Sequence, residues 1–441
     1  MFSNEKLRSM ILPLFVDQLL LILVTFLSSL MIAQAGENAL SGVSLVDMIN
    51  SFLFYIFISL ASGGSVVISQ YMGNKNKTFA QMSAAQIIGM NSLISLVISI
   101  VLFIFHQPII TLLFSKADPL IVSTASTYFF LSILSYPFYS LYQSGNAIFR
   151  SIGNTKVPML SSIMMNFLNF FGNALSIYVF HVGVLGFGLS AIIARVIASL
   201  FVFFVATSGA TGFQVFIHQI FQFKKEIIQR ILKIAIPSSI EDGVLNGSKI
   251  ILASLIASFG TAHIAANGVA NSLVTIGISY ALASNLVMVS VVGQCVGAND
   301  YDQARYYIKK IIKWMYVMNA ILMILQTVFT PFLIQLYHLS SETASITFNL
   351  VLIHNVFALF MWPLSFTIPN ALRSAGDSRF TMMNSIFAVL VFRVGFTLIL
   401  SLHFGLGIYG IWISMIIDWL VRASLNIVRY RSNKWTQFRL I

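Results

Sequence analysis

Long runs of apolar residues, separated by short polar breaks, recur along all 441 residues of the chain. Each run reaches the roughly 20 residues that an α-helix needs to cross the hydrocarbon core of a bilayer. The runs do not alternate between apolar and polar residues, as the strands of a membrane β-barrel would. We recognise twelve runs, at 9–33, 44–70, 81–106, 120–145, 157–180, 184–208, 231–258, 264–292, 307–332, 344–370, 380–402 and 406–428. The pattern predicts an all-α membrane protein with twelve transmembrane helices, numbered 1 to 12 below.

The composition supports this prediction and excludes a soluble enzyme. Hydrophobic residues make up 58% of the chain and charged residues only 9%, whereas soluble domains carry roughly 25% charged residues. The sequence has no GxxxxGK[ST] motif for ATP hydrolysis. The single cysteine, Cys295, cannot form an internal disulfide, and the histidines are scattered. We therefore expect neither enzymatic activity nor a bound cofactor or metal.

The net charge of +12 could indicate nucleic acid as a partner, but its distribution indicates membrane topology. In a twelve-helix arrangement, almost all basic loop residues lie on one side of the membrane. Examples are Lys6, Arg8, Lys75, Lys77, Arg150, Lys156, Lys224, Lys225, Arg305, Lys309, Arg373, Arg379, Arg429 and Arg431. The opposite loops hold only Lys116. Because Lys and Arg concentrate in cytoplasmic loops, we expect both termini in the cytoplasm, the lipid bilayer as partner and no nucleic acid.

An internal repeat becomes visible when the sequence is shifted by 224 positions. Pro13 then meets Pro237, and four residues later Asp17 meets Glu241. Further matches are Gly36 with Gly260, Asp47 with Asn271, and segment 70–73 with 294–297. With a slip of one residue, segment 150–156 meets 373–379. Generic apolar helices would not place polar residues and glycines in the same order.

The repeat defines the predicted domain organisation. Each copy holds six helices, an even number, so both copies begin on the same side of the membrane and the repeats are parallel. We expect an N-lobe at 1–208 and a C-lobe at 231–441. Segment 209–230 interrupts the apolar pattern, and its interleaved Phe and Lys residues predict a cytoplasmic linker helix in the membrane interface.

In these motifs the chain resembles the multidrug and toxic compound extrusion (MATE) family. The similarity rests on the proline followed by a carboxyl residue in helices 1 and 7, the QxxG ends of helices 2 and 8, and the R-S-x-G-x-x-[KR] loops at 150–156 and 373–379. The resemblance implies two lobes, a V-shaped cleft, and export of lipophilic, often cationic small organic compounds against inward H⁺ or Na⁺. It also implies a multi-pass protein of the bacterial inner membrane, which we expect to be a monomer.

Carboxyl groups inside a bilayer are costly and usually mark ion or substrate pathways. Asp17 and Glu241 are the matching candidates for ion coupling, although Asp17 could also be a polar residue facing the cytoplasm near its helix end. Asp242 points about 100° away from Glu241 and shares a face with Lys249. A structural Asp242–Lys249 link and a substrate role are both open.

The ion itself cannot be copied from the family. Many members carry an aspartate late in helix 1, where this chain has the serine-containing stretch 27–30. Some also use an aspartate in helix 10, and stretch 360–363 has none. With carboxyls but no oxygen-rich cage, we favour H⁺ over Na⁺.

Other intramembrane polar residues share helix faces and indicate a substrate cavity. They are Tyr136, Tyr139 and Gln143 in helix 4, Asn166, Asn169 and Asn173 in helix 5, and His354 and Trp362 in helix 10, together with Lys249. The asparagines recur at i, i+3 and i+7 and so lie on one face. Hydrogen bonding between helices is the alternative explanation for them.

Basic residues also occur within the predicted helices. Arg195 and Arg393 require partners there, and Asp418 and Arg422, four residues apart, are expected to pair with each other. A flippase for lipid-linked precursors is the alternative function, and it would need more cations in its cavity. Uptake instead of export also stays open at this point.

Overall fold

The computed structural model describes residues 1–114, 118–337, 339–438 and 440–441. Lys116, the one basic residue predicted on the outer side, lies outside the described residues. Twelve long helices are present in the described chain, one for each predicted span. They are α1 (Asn4–Gln34), α2 (Glu37–Gly73), α3 (Lys77–Leu113), α4 (Pro119–Ser151), α5 (Lys156–Ala174, extended by a π-turn at Leu175–Val179), α6 (Gly183–Ser208), α7 (Lys225–Ala257), α8 (Thr261–Gly277 and Ser279–Gly297), α9 (Tyr301–Leu336), α10 (Ser341–Trp362, Pro363–Thr367 and Ile368–Ser374), α11 (Ser378–Phe387, Ala388–Gly395 and Leu398–His403) and α12 (Gly407–Arg431). The predicted all-α fold class is confirmed.

Ten helices are long and apolar enough to cross a membrane by length and composition. The two helices of the twelve that fall short are α5 and α7. α5 carries Asn166, Asn169 and Asn173, and α7 carries Glu241 and Asp242 in its apolar part. Both of these helices thus contain predicted functional polar residues, which make them less apolar.

The internal repeat is visible in the backbone as well as in the sequence. Residues with positive φ occur in pairs separated by 224 positions: Gly36 and Gly260 (108° and 104°), Lys75 and Asn299 (57° and 56°), His181 and Gly405 (51° and 68°), Gly183 and Gly407 (53° and 53°), and Gly209 and Asn433 (73° and 55°). The π-helical ends of α5 and α11, at Val179 and His403, keep the same spacing. Because left-handed backbone is rare outside glycine, these pairs indicate that both copies turn their chains in the same way.

The helices pack into two compact units. The first-half unit comprises Leu19–Met72 and Asn76–Ala235, and the second-half unit comprises Met1–Gln18, Gly73–Lys75 and Ile236–Ile441. These units are defined by which residues pack together. The predicted lobes at 1–208 and 231–441 are defined by the sequence repeat. The lobe boundaries therefore stay a prediction.

In the second-half unit, the first turns of the chain are built into the core. Leu7, Met10, Ile11 and Leu14 are buried in one cluster with residues of α8, α9 and α10. The terminal amine donates to Gln303 Oε1 at 2.7 Å. The Phe2 amide likewise donates to the Tyr307 hydroxyl at 2.6 Å. This segment is therefore fixed by packing and hydrogen bonds.

In the first-half unit, α4 packs against α3, α5 and α6 around a core that includes Phe57, Phe129 and Tyr136. Within the predicted linker 209–230, Ile217–Ile220 form a single helical turn and residues from Lys225 onward already belong to α7, so the separate helix is shorter than the expected interfacial helix. Gln86 of α3 holds it by donating Nε2 to the carbonyls of Gln219 and Gln222 at 3.0 and 2.9 Å. The interfacial position of the linker stays a prediction.

Gly89→Ala should destabilise this contact. A Cβ at Gly89 would lie 2.5 Å from the backbone carbonyl oxygen of Ile220, so α3 and the linker must move apart. Overpacking of this kind costs about 1–3 kcal/mol, and we expect a lower melting temperature in detergent, measured by intrinsic fluorescence. Gly268→Ala is the control, since a Cβ there meets nothing within 4 Å. Equal melting temperatures for both variants would contradict the packing described.

Candidate functional site

The second-half unit holds a buried carboxylate on α7. Glu241 is 7% exposed, and its Oε1 pairs with an Arg373 guanidinium nitrogen at 3.2 Å. Ser385 of α11 donates to the same oxygen at 2.8 Å. Oε2 is buried and has no hydrogen-bond partner among the described residues. A buried oxygen without a partner costs free energy when the group is charged, so this carboxyl is held in place on one side only.

Asp242 and Lys249 lie on the same helix as Glu241. The Lys249 ammonium donates to Asn246 Oδ1 at 3.3 Å, and Asn246 in turn donates to the Asp242 carbonyl at 2.8 Å. The Asp242 carboxylate acts on Lys249 electrostatically. Lys249 itself is exposed. A linked pair and a ligand role remain compatible with this arrangement.

Asp17, the first-repeat counterpart of Glu241, is half-buried on α1, four residues after Pro13. It belongs to the N-terminal segment that is part of the second-half unit. On this segment, neighbouring Phe15 packs edge-on against Tyr280, with ring centroids 5.5 Å apart. The matched carboxyls of the two repeats are thus both assigned to one packing unit.

A charge cluster is buried between α11 and α12. Asp418 pairs with Arg422 at 3.0 Å, as the sequence predicted. It also pairs with Arg393 at 3.1 Å, which supplies the partner that Arg393 requires. Arg393 lies in the π-helical segment Ala388–Gly395. The cluster is almost fully buried, and its three side chains fix the packing of these two helices.

His354 and Trp362, the candidates on α10, lie in the packed interior of the second-half unit. His354 is 3% exposed, and its ring meets Trp412 and Trp419 edge-on at 6.0 and 5.3 Å. Its Nδ1 lies 3.1 Å from Asn355 Oδ1. Trp362 is 5% exposed and packs against Phe366 at 4.9 Å. Their surroundings are aromatic, and their proposed role in a cavity stays a prediction.

The first-half unit holds a polar network centred on Asn50 of α2. The hydroxyl of Tyr136, a predicted cavity residue, donates to Asn50 Oδ1 at 2.6 Å. Asn50 Nδ2 donates to Asp47 Oδ1 at 3.1 Å and to Ser132 Oγ at 3.2 Å. Tyr128 also donates to Asp47 Oδ1, at 3.2 Å. The exposed Asp47 carboxylate is therefore anchored by neutral donors.

Tyr139 and Gln143 of α4 are brought together next to Arg195 of α6. Gln143 Nε2 donates to the Tyr139 hydroxyl at 2.8 Å. The Arg195 guanidinium lies 5.5 Å from the Tyr139 ring centroid and 4.8 Å from that of Phe54, within cation–π range. It also donates to Ser135 Oγ. Tyr139, a predicted cavity residue, thus adjoins an intramembrane cation, and Gln143 contacts Tyr139.

The asparagines of α5 lie on one face, as predicted, but make separate contacts. Asn166 donates to Ser162 on its own helix at 3.2 Å. Asn173 is fully buried and donates to Ser28 of α1 at 3.5 Å. Asn169 is half-buried, and its Oδ1 has no hydrogen-bond partner among the described residues. Ser28 lies in the stretch where many family members carry an acid, and here it contacts an amide.

Sequence reasoning did not select Asp47 and Asn50. The repeat alignment contained a signal, because Asp47 matches the polar Asn271 in the other copy. That match alone could not show which side chains lie beside Asp47. Arg195 was recognised as a residue in need of a partner, but its neighbours Phe54 and Ser135 come from other helices. Nothing in the sequence indicated that Ser385 donates a hydrogen bond to Glu241.

A family model named MatE matches residues 13–175 and 237–399. The two matched segments are 224 positions apart, which confirms the repeat. Among relatives, the chain is 29% identical to the uncharacterized transporter YisQ of Bacillus subtilis, covering 98% of this chain and 95% of that protein. It is 22% identical to the probable multidrug resistance protein NorM of Thermotoga maritima, covering 98% and 93%.

Solved structures show the same fold. A crystal structure of a MATE protein in its bent conformation has a TM-score of 0.88 at 20% identity, with 98% of this chain and 95% of that chain covered. An outward-facing MATE-family multidrug resistance transporter of the MOP superfamily has a TM-score of 0.89 at 21% identity, with 98% and 96% covered.

Asp418→Asn should be strongly destabilising. It leaves Arg393 and Arg422 buried without their shared counter-charge, and breaking a buried ion pair costs about 3–5 kcal/mol. Asp302→Asn removes a carboxylate of the same type from an exposed pair with Arg305, which is worth at most about 1 kcal/mol. The melting temperatures of the purified Asp418→Asn and Asp302→Asn proteins are compared, and we expect a much larger decrease for Asp418→Asn. A native-like melting temperature for Asp418→Asn would refute the structural role of the cluster.

Proposed function

This chain belongs to the MatE family of membrane transporters, and on this premise we propose that it is a secondary antiporter that exports lipophilic, often cationic organic compounds in exchange for H⁺. Relatives named as multidrug resistance proteins support export of organic compounds over the flippase alternative. The protein is a multi-pass membrane protein. Its bacterial relatives and the distribution of its basic residues support the bacterial inner membrane with both termini in the cytoplasm. We propose that a monomer is the working form.

The observation that carries the proposal is the environment of Glu241. Its carboxylate is buried within a helix of the membrane domain, is paired with Arg373, and keeps Oε2 without a hydrogen-bond partner among the described residues. A proton on Oε2 would neutralise the buried charge. It would also weaken the ion pair, because Arg373 would then face a neutral group.

Exchange follows from competition for one negative charge. Arg373, a proton or a cationic substrate can each neutralise the negative charge of the Glu241 carboxylate. When one of them is bound, the carboxylate has a lower affinity for the other two. Protonation of Glu241 would release a substrate, and deprotonation would allow the next one to bind. If the protein changes conformation only when the charge of Glu241 is neutralised, proton influx and substrate export are coupled. Asp17 and Asp242 are proposed as further ion-coupling groups, and Lys249 as a group that responds to Asp242.

The same environment favours H⁺ over Na⁺. A hard metal cation takes about six oxygen ligands. Around Glu241, the described contacts are one hydroxyl, from Ser385, and one guanidinium, from Arg373. A guanidinium repels a metal cation, whereas a proton needs only the single carboxylate oxygen.

Glu241→Gln should abolish proton-coupled efflux. The amide keeps the size of the side chain but can neither bind a proton near neutral pH nor attract a cation. Ethidium efflux from a pump-deficient host, corrected for membrane expression, should fall to the level of the empty vector, and Asp17→Asn should also reduce it. Glu342→Gln, at an exposed site, is the matched control and should resemble wild type. Wild-type efflux in both Glu241→Gln and Asp17→Asn would reject the coupling assignment.

Transport in everted membrane vesicles should follow an imposed pH gradient. We expect dye accumulation in sodium-free buffer when the vesicle interior is acidified, and its collapse on addition of a protonophore. The Glu241→Gln protein serves as the control for passive dye movement. A strict requirement for Na⁺, with no response to the pH gradient, would overturn the choice of ion.

A further inference from the structure

Basic and aromatic side chains lie together at the start of α9, beside the first turns of α1. Lys310 Nζ lies 4.9 Å from the ring centroid of Tyr306 and 5.7 Å from that of Trp314, and it donates to the Tyr306 hydroxyl at 3.0 Å. The guanidinium of Arg8, on α1, lies 5.8 Å from the Trp314 centroid. These distances are within cation–π range. Trp314 therefore contacts cations from two helices of the second-half unit.

This surface carries four positive charges, which we call the basic group. Its members are Arg8, Lys309, Lys310 and Lys313, and all but the half-buried Lys310 are exposed. Among the residues that the structure describes, no carboxylate lies within 4.0 Å of any of the four. The ion pair near this end of α9 joins Asp302 to Arg305 instead. The basic group is therefore not neutralised by the described part of the chain.

The same face of α9 continues as an exposed apolar surface. Beyond Lys313 the helix contains no charged residue. Its exposed residues there include Val317, Ile321, Ile324 and Val328, which are spaced at i, i+4, i+7 and i+11 and so share one face. They extend over about 16 Å, close to half of the roughly 30 Å hydrocarbon core. Tryptophan is enriched at membrane interfaces, so Trp314 lies where headgroups would meet acyl chains.

The internal repeat relates this part of α9 to the start of α3. Both helices begin with the same cap, because Asn76 accepts a hydrogen bond from the amide of residue 79 and Asp300 accepts one from the amide of residue 303. The two caps are 224 positions apart. The register of the repeat therefore continues into α3 and α9, and Lys310 and Lys313 match residues 86 and 89.

The matching surface of α3 is covered by protein. Gln86 donates to two carbonyls of the linker, and the carbonyl of Ile220 lies close against Gly89. Gln86 and Gly89 are both buried, whereas Lys313 is exposed and Lys310 is half-buried. The second copy thus carries two cations where the first carries an amide and a glycine under the linker. A negatively charged molecule from outside the chain suits that surface.

We propose that the basic group and the adjoining apolar face of α9 bind an anionic phospholipid. The phosphate of the lipid lies among Arg8, Lys310 and Lys313, and its acyl chains follow the apolar face. Basic residues near a membrane surface attract anionic lipids, and the direct continuation into an apolar face favours a lipid over a soluble anion. The site includes none of the residues proposed for ion coupling and does not depend on the exchange of cations for protons.

Trp314 is the probe that tests this assignment, because the four other tryptophans of the chain are buried. The purified protein is reconstituted into phosphatidylcholine nanodiscs that contain a small fraction of lipid with brominated acyl chains, which quench tryptophan fluorescence on contact. Brominated phosphatidylglycerol is compared with brominated phosphatidylcholine at the same fraction. We expect stronger quenching by the anionic lipid, and Trp314→Phe should abolish the difference.

Substitution of the cations should lower the preference for the anionic lipid. The attraction of one basic residue for an anionic membrane corresponds to about a fivefold change in affinity. Arg8→Gln and Lys313→Gln should each lower the relative affinity for phosphatidylglycerol by about this factor, and the double variant should lose most of the preference. Lys77→Gln removes an exposed cation from the start of α3 and should leave the preference unchanged.

Three results would overturn the proposal. Equal quenching of the wild-type protein by the two brominated lipids would show that the surface does not select anionic lipid. A preference that survives in the double variant would show that Arg8 and Lys313 do not recognise the headgroup. Loss of the preference on addition of inorganic phosphate, but not of sodium chloride at equal ionic strength, would indicate a site for a soluble anion. The melting temperature and gel-filtration profile of each variant establish that it is folded.

Discussion

The structure depends on one constraint, the high cost of an uncompensated charge or an unpaired backbone group in a lipid interior. An α-helix satisfies the hydrogen bonds of its backbone within the segment, which is why the membrane-spanning segments of the described chain are helical. Side-chain charges must then find partners on neighbouring helices. The positions of Asp418, Arg393 and Arg422 show the outcome, since one carboxylate pairs with two guanidinium groups and links α11 to α12.

The two halves meet this constraint differently. In the second half, Asp418 is closed into short ion pairs with two arginines, whereas Glu241 pairs with Arg373 through Oε1 and keeps Oε2 without a hydrogen-bond partner among the described residues. In the first half, Asp47 and Arg195 are held by neutral donors, acceptors and aromatic rings, and each keeps part of its capacity to bind. A charge within an ion pair stabilises helix packing. A charge without an ionic partner can still bind a proton or a charged ligand. The repeat thus preserved the backbone while the side chains diverged.

The backbone shows how far that preservation extends. The left-handed residues after corresponding helices keep a spacing of 224 positions, even where the residue type changes from Gly209 to Asn433. The π-helical ends of α5 and α11 also correspond. The π-helical segment around Arg393 lies instead in the second copy, and an insertion of this kind rotates a helix face and re-aims its side chains. The two copies therefore differ in local helix geometry as well as in residue type.

The sequence by itself determined the fold class, the twelve helices and the repeat, because apolar length and residue spacing are properties of the chain alone. It also marked Glu241 and the i, i+4 pair of Asp418 and Arg422, since these need no knowledge of other helices. Only the tertiary structure decided that Arg373 and Ser385 hold Glu241, that Arg393 joins Asp418, and that Asp47, Phe54 and Arg195 form one cluster. Those contacts join residues up to about 150 positions apart in the chain. They form through the packing of helices against each other, which the periodicity of a single helix does not predict.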